Sequence, residues 1–222
     1  MSNVKTTKAY KGFPMEGGVA RSYAKLTLKD LKRHQGMARQ LVEKIPASGS
    51  VLEIAPGPGY FCIELAKLGN FKITGLDISK SFVEIARKNA LEAGIPIDFQ
   101  QGNASAMPFK DGTFDFTFCQ AAFKNFSEPV KAIAEMYRVL RPHGLAVIVD
   151  MRHDASLQAI EREVKGMGLG RLDEAWTRWT FKYMLVKTAY SISQMETMIA
   201  KTPFGKGRIE VDDLGFQIFL EK

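Results

Sequence analysis

VLEIAPGPGY, residues 51–60, begins as a short apolar run and stops at a proline–glycine turn. The run reads as a buried strand entering a tight loop, and the helix signal resumes at Tyr60 and lasts to Leu68. Gly57 and Gly59 allow a backbone to come close to a ligand, and the helix start beyond them offers unpaired N–H groups. A lone Gly-x-Gly also suits a plain buried turn. The dinucleotide fingerprint needs a third small residue, and Cys62 stands there. No Gly-x-x-x-x-Gly-Lys-Ser/Thr string exists, which disfavours triphosphate binding.

Outward from that loop the chain alternates. FKITGLD (71–77), IPIDFQ (95–100), FDFTFC (114–119) and LAVIVDM (145–151) read as four further strands. Between them lie helical patterns, one capped by Ser79 and ended by Gly94, another over Glu128–Leu140. Before the loop, apolar positions from Leu28 to Ile45 recur at helical spacing. After Asp150 the pattern becomes two helices over 155–189, split by GMGLG (166–170), then a short helix over 193–201. RIEVDD and FQIFLEK close the chain as a hairpin turning at Asp213–Gly215. The expected fold is α/β: a doubly wound, mostly parallel sheet of seven strands with helices on both faces. A C-terminal β-hairpin edges it, and a helical cap insert follows strand five. One domain over 1–222 accounts for all of this.

Asp77 ends the second strand, 20 residues after Gly57. A carboxylate there can accept hydrogen bonds from both hydroxyls of a ribose.

At these positions the sequence resembles the class I S-adenosylmethionine-dependent methyltransferases, in the small-molecule branch that includes quinone-biosynthesis enzymes. The resemblance covers roughly residues 50–150, and the terminal hairpin fits it. VLEIAPGPGY resembles the first family motif, with Glu53 as its acid and Ala55, Pro56, Gly57 and Gly59 forming the cofactor loop. It implies that Gly59, lacking a side chain, leaves room for the amino-acid end of the cofactor. LDIS (76–79) resembles the second motif, with Asp77 on the ribose and Ile78 against the adenine. QGNASAMPFKDGTFD (101–115) resembles the adenine-side stretch, so Asn103 and Ala104 are expected there. The family usually has Asp where Asn103 stands, but an amide oxygen can still accept from the adenine amino group. FDFTFCQAAFKNFSEP (114–129) resembles the fourth motif, with Cys119 as core or pocket lining. Lys124 and Asn125 depart from the polar pair often found just beyond. Lys124 could meet an acidic group of the acceptor or be a solvated lysine.

The resemblance implies S-adenosyl-L-methionine as cofactor, no metal, and methyl transfer by direct displacement to a small, apolar or aromatic acceptor. A general base is needed only where the acceptor holds a high-pKa proton, and Tyr23, Lys124 and His153 are the catalytic candidates. The acceptor pocket is expected in the insert, where Trp176, Trp179 and Tyr183 supply aromatic surface. Two other readings stand beside this one. The first is an RNA or protein methyltransferase guided by the leader; the second is a cofactor-binding protein that does not methylate.

Charge bears on that choice. Of the 222 residues, 45% are hydrophobic and 25% charged, which are globular values. Residues 1–50 hold 10 of the 31 Lys and Arg but 3 of the 24 Asp and Glu, so 51–222 balance at 21 each. The basic leader, 1–28, has no dense cationic cluster, which makes a nucleic-acid partner a weak expectation. Tyr10, Phe13, Met15, Val19, Tyr23 and Leu26 make it too apolar for a plain tail, and it is expected to act as a lid over the cofactor. No run of about 18 apolar residues suggests a membrane span. Cys62 and Cys119 form no disulfide framework, and a cytoplasmic setting is expected.

Overall fold

A computed structural model describes residues 10–12, 14–166, 170 and 186–222. Seven strands form one sheet in the order β3-β2-β1-β4-β5-β7-β6. They are β1 (Ser50–Ile54), β2 (Lys72–Asp77), β3 (Asp98–Gln101), β4 (Phe114–Gln120), β5 (Leu140–Met151), β6 (Arg208–Val211) and β7 (Gly215–Glu221). The first five pair in parallel; β7 runs antiparallel to both β5 and β6. The expected doubly wound sheet and terminal hairpin are therefore present.

Strand order reverses at β1 and β4, the two central strands, so their C-terminal ends frame a crevice. Both strands are apolar on both faces because helices cover both. On one face α2 (Leu31–Leu41), α3 (Tyr60–Ala66) and α4 (Lys80–Glu92) pack Leu41, Phe61, Leu65 and Ala86 against Val51, Phe116 and Phe118. On the other, α5 (Pro129–Val139) and α7 (Ile192–Ala200) pack Ile133, Met136, Met195 and Ile199 against Leu52, Ile54 and Ile148.

Several boundaries differ from expectation. The pattern read as one helix from Leu28 to Ile45 is α2 alone plus a 3-10 turn, Val42–Lys44. A separate helix α1 (Gly17–Leu28) precedes it, and Lys29–Asp30 break the chain between them. β5 starts earlier, at Leu140, but its register against β4 jumps from Leu140 to Leu145. Pro142 and Gly144 lie in that irregularity, which is why they read as a turn. In the insert, α6 (Leu157–Gly166) is present, and its Ile160 and Val164 meet Val186 in a small cluster of their own. The second helix expected there falls on 171–185, outside the described residues.

Candidate functional site

The loop after β1 is built on unusual backbone. Ala55 has φ 56°, Gly57 φ 55° and Gly59 φ 78°. A left-handed alanine is costly and draws attention to this turn. The Ala55 N–H donates to the Leu76 carbonyl at 2.8 Å, the last rung of the β1–β2 ladder before the turn. A Cβ on Gly57 would meet no atom within 4 Å, so this glycine faces open space in the crevice. Gly59 is different. A Cβ there would lie 2.7 Å from Phe99 Cζ and 3.0 Å from Ala86 Cβ. Gly59 is needed for packing against α4 and β3, a constraint separate from the expectation that it leaves room for the cofactor.

Asp77 sits at the end of β2 and ties the loop to the next helix. Its Oδ2 accepts from the Gly57 N–H at 3.0 Å and its Oδ1 from the Ser79 N–H at 2.9 Å. The carboxylate is buried, and burial pushes its pKa up to about 6 against those two hydrogen bonds. Ser79 then caps α4 by accepting from the Phe82 N–H. Ile78 follows Asp77 and is half-buried.

Glu53 lies one strand over, 4% exposed. Its Oε2 accepts from the Cys62 thiol at 2.8 Å. Burial pushes Glu53 up to about 7 and pushes Cys62 well above its usual range. A buried carboxyl whose hydrogen bond comes from a thiol is suited to receive a cationic group such as an ammonium. The ligand-free protein carries a consequence. An unfolded glutamate titrates near 4.3, so in the folded state the ionised form is disfavoured. Stability therefore falls as pH rises from about 4.5 through 7, by about 3 kcal/mol from this group. Thermal melts between pH 5 and 8 should show that slope, flattened in Glu53→Gln. Equal slopes would mean Glu53 ionises freely in the fold.

Asn103 lies in the loop after β3. Its Oδ1 accepts from the Ser105 N–H at 2.9 Å, so the oxygen expected on the adenine is already holding a turn. One lone pair on it remains. Ala104 packs against the core beside β4. Cys119 is fully buried near the end of β4, a core residue, and burial pushes its thiol up. Pro56 is buried, and its carbonyl accepts from the Gly59 N–H at 3.0 Å.

Beyond β4 lies a pair that the sequence reading did not assemble. Lys124 is 4% exposed, and its Nζ donates to Asp150 Oδ1 at 2.8 Å and to the Ala121 carbonyl at 2.8 Å. Asp150 Oδ2 accepts from the Lys124 N–H at 2.9 Å. Lys124 is not a solvated lysine: it is half of a buried ion pair at the ends of β4 and β5. The signal that could have found Asp150 was a carboxylate inside the otherwise apolar LAVIVDM. Gln120, the last residue of β4, keeps a buried Oε1 with no hydrogen-bond partner.

Tyr23 projects from α1, edge-on to Phe82 with ring centroids 5.7 Å apart. Burial pushes its phenol up, and Asp150 and Asp77 lie near enough to add to this against Arg33. A phenol raised in this way is a hydrogen-bond donor at neutral pH and a poor base. His153 is exposed on the loop after β5, its N–H bonded to the Tyr190 carbonyl at 3.1 Å. His34, on α2 beside Tyr60, is pushed down by burial. Trp176, Trp179 and Tyr183 lie outside the described residues.

The leader crosses the mouth of the crevice. At one side the Lys11 N–H donates to the Asn125 carbonyl at 2.7 Å, and Lys11 Nζ donates to the Tyr190 hydroxyl at 2.6 Å. At the other, the Ser79 hydroxyl donates to the Met15 carbonyl at 2.6 Å, and Glu16 accepts from the Lys80 and Ser81 N–H groups. The leader thus touches both the loop after β4 and the start of α4.

Comparison with known proteins agrees with this geometry. Residues 52–148 match the family model for the methyltransferase domain. A demethylmenaquinone methyltransferase of Deinococcus radiodurans is 36% identical over 107 residues, 48% of this chain and 44% of that one. Another from Thermus thermophilus is 32% identical over 122 residues, 54% of each. The chain spans about half the length of the curated relatives it matches. A Methanococcus maripaludis structure, of a protein assigned as an S-adenosyl-L-methionine-dependent methyltransferase, superposes with TM-score 0.78. It covers 97% of both chains at 21% identity, a likeness of fold.

Proposed function

We propose that this chain is a class I S-adenosylmethionine-dependent methyltransferase acting on a small apolar or aromatic acceptor, a reading supported by the methyltransferase-domain match over 52–148 and by the sheet order. The observation that carries this reading is Asp77, whose carboxylate bridges the Gly57 and Ser79 N–H groups beside the open face of Gly57. Asp77 would take the ribose hydroxyls, and Glu53 the ammonium. The cofactor supplies a methyl group already activated by its sulfonium. The protein's part is to align, to exclude water and to manage one proton.

The acceptor side rests on Lys124 and Asp150. Of the three Nζ donors of Lys124, two are used by Asp150 and Ala121, leaving one for an acceptor oxygen. In a dry crevice that bond stabilises an oxyanion more than it would in water. The buried, unpartnered Oε1 of Gln120 at the end of β4 is proposed as a further acceptor for the ligand, and the Tyr23 hydroxyl as a donor. This set suits a hydroxylated ring, the chemistry in the names of the quinone-methylating relatives. Trp176, Trp179 and Tyr183 are proposed as its apolar walls. The leader strap is proposed to open and close over both ligands.

The test is incubation of the pure protein with labelled-methyl cofactor and a metabolite extract containing reduced quinones, read by mass spectrometry. Label should appear on a ring-bearing product. Lys124→Gln should lower transfer at least tenfold and leave S-adenosylhomocysteine affinity within about threefold. Removing one half of a buried pair costs about 3–5 kcal/mol, so the melt is measured alongside, with Lys124→Gln/Asp150→Asn as the repaired partner. Label that goes to RNA or protein instead, or bound cofactor with no methyl loss, would overturn the reading.

A further inference from the structure

The helix α1 is built inside out. It meets the body through its small residues: Ala20 and Ala24 are 0% and 7% exposed. The Thr27 hydroxyl turns back to the Tyr23 carbonyl. Two of its bulky apolar residues point away: Val19 is 54% and Leu26 57% exposed, at spacing i, i+7, while Tyr23 between them is 38% exposed and lays its ring on Phe82. Leu28, at its end, is 52% exposed. Among the described residues these four are half of the eight exposed large hydrophobics; the others, Leu68, Leu91, Leu157 and Val211, lie on four different segments. A surface helix ordinarily buries its large side chains and exposes its small ones.

A basic row accompanies the stripe. Arg21, Lys25 and Lys29 are exposed at spacing i, i+4, i+8, and Lys32 continues it on α2. The acids nearby are occupied: Glu16 accepts from the first N–H groups of α4, and Asp30 pairs with Arg33. This is also the part of the sequence that holds all of the +7 net charge.

We propose that α1 docks the protein on an anionic lipid surface, with Val19 and Leu26 in the headgroup boundary and the basic row on lipid phosphates. Charge complementarity selects this occupant. Two copies meeting through this face would bring like-charged rows together. A nucleic acid would use the cations but gain nothing from burying Val19 and Leu26. Among the described residues no helix is long and apolar enough to cross a membrane, so the contact would be peripheral. Its place matters. Tyr23 lies between Val19 and Leu26 on α1 but packs on Phe82 of α4, so the exposed stripe runs beside the segment that follows Asp77. A lipid surface at α1 would lie against the crevice mouth, and an acceptor with an apolar tail could enter without crossing water. That route rests on the methyl-transfer reading; the docking does not.

The full chain, with neither cofactor nor acceptor, is floated with vesicles of phosphatidylglycerol and phosphatidylcholine, and with phosphatidylcholine alone. Binding should require the anionic lipid and fall with salt. Val19→Glu/Leu26→Glu should reduce it at least tenfold. Lys25→Gln/Lys29→Gln should reduce it on the order of twentyfold, at about fivefold per basic residue. All four side chains point to solvent, so melting temperature and S-adenosylhomocysteine affinity should not move in either variant. Absence of vesicle binding overturns the proposal, as does binding that both variants retain. A dimer that Val19→Glu/Leu26→Glu dissociates would assign the stripe to a second copy and overturn it too. Methyl transfer is assayed separately on solubilised acceptor, so a failure of docking leaves that reading standing.

Discussion

Asp77→Ala is expected to weaken S-adenosylhomocysteine binding by about 1.5–3 kcal/mol, roughly tenfold to 150-fold, the usual loss for hydrogen bonds to a charged group. Each Asp77 oxygen already accepts one backbone N–H, and a carboxylate has about four acceptor positions, so two remain for a pair of ribose hydroxyls. The variant also strips the Gly57 and Ser79 N–H groups of their partner, so melting should fall along with affinity. The pH dependence separates the two effects. Burial holds Asp77 near 6 in the free protein, and ribose hydroxyls donate to the ionised form. Affinity should be flat above about pH 7 and decline as pH falls through 6. Asp77→Asn, which cannot titrate, should bind weakly with no such decline. Folding stability of the free protein runs the other way. The folded pKa lies above the unfolded one, so Asp77 costs stability increasingly between about pH 4 and 6 and fully above that. Calorimetry from pH 5 to 8 giving one affinity for wild type and Asp77→Ala would remove Asp77 from the site.

The sheet was legible because its signals are local. VLEIA meeting a Pro/Gly turn, Ser79 before an amphipathic run and a hairpin at Asp213–Gly215 each need only a few neighbours, and all appear where expected. α1 was not legible as a packed helix because its buried face is Ala20 and Ala24, which give no apolar period. Its large residues produced a stripe that a pattern reading assigns to a lid, while the structure turns that stripe outward. The meeting of Asp77 with the Gly57 loop was readable from spacing, since β1 and β2 are neighbours and their ends lie side by side. The pair beyond β4 was not. Lys124 and Asp150 are 26 residues apart on neighbouring segments, and only three-dimensional pairing distinguishes a buried ion pair from two surface charges.

The two loop glycines were indistinguishable in sequence and should separate in experiment. Gly59→Val places a branched side chain where Phe99, 1% exposed, and Ala86 already fill the space, at a φ of 78° that β-branched residues avoid. Overpacking costs about 1–3 kcal/mol and the left-handed backbone about 1–2 more. Against a total stability of roughly 5–15 kcal/mol this is large, and at about 2–4 °C per kcal/mol the melting temperature should fall by about 5–20 °C. Gly57→Val pays only the backbone term, because a Cβ there meets nothing, yet it projects into the crevice that Asp77 borders. It should melt within about 8 °C of wild type and bind S-adenosylhomocysteine at least tenfold more weakly. Thermal melts and calorimetry on both variants give a crossed result: one loses fold and the other ligand. The reverse crossing, a stable Gly59→Val that cannot bind beside a Gly57→Val that binds normally, would mean that the ligand approaches the loop from the α4 side, and the crevice assigned here would be the wrong one.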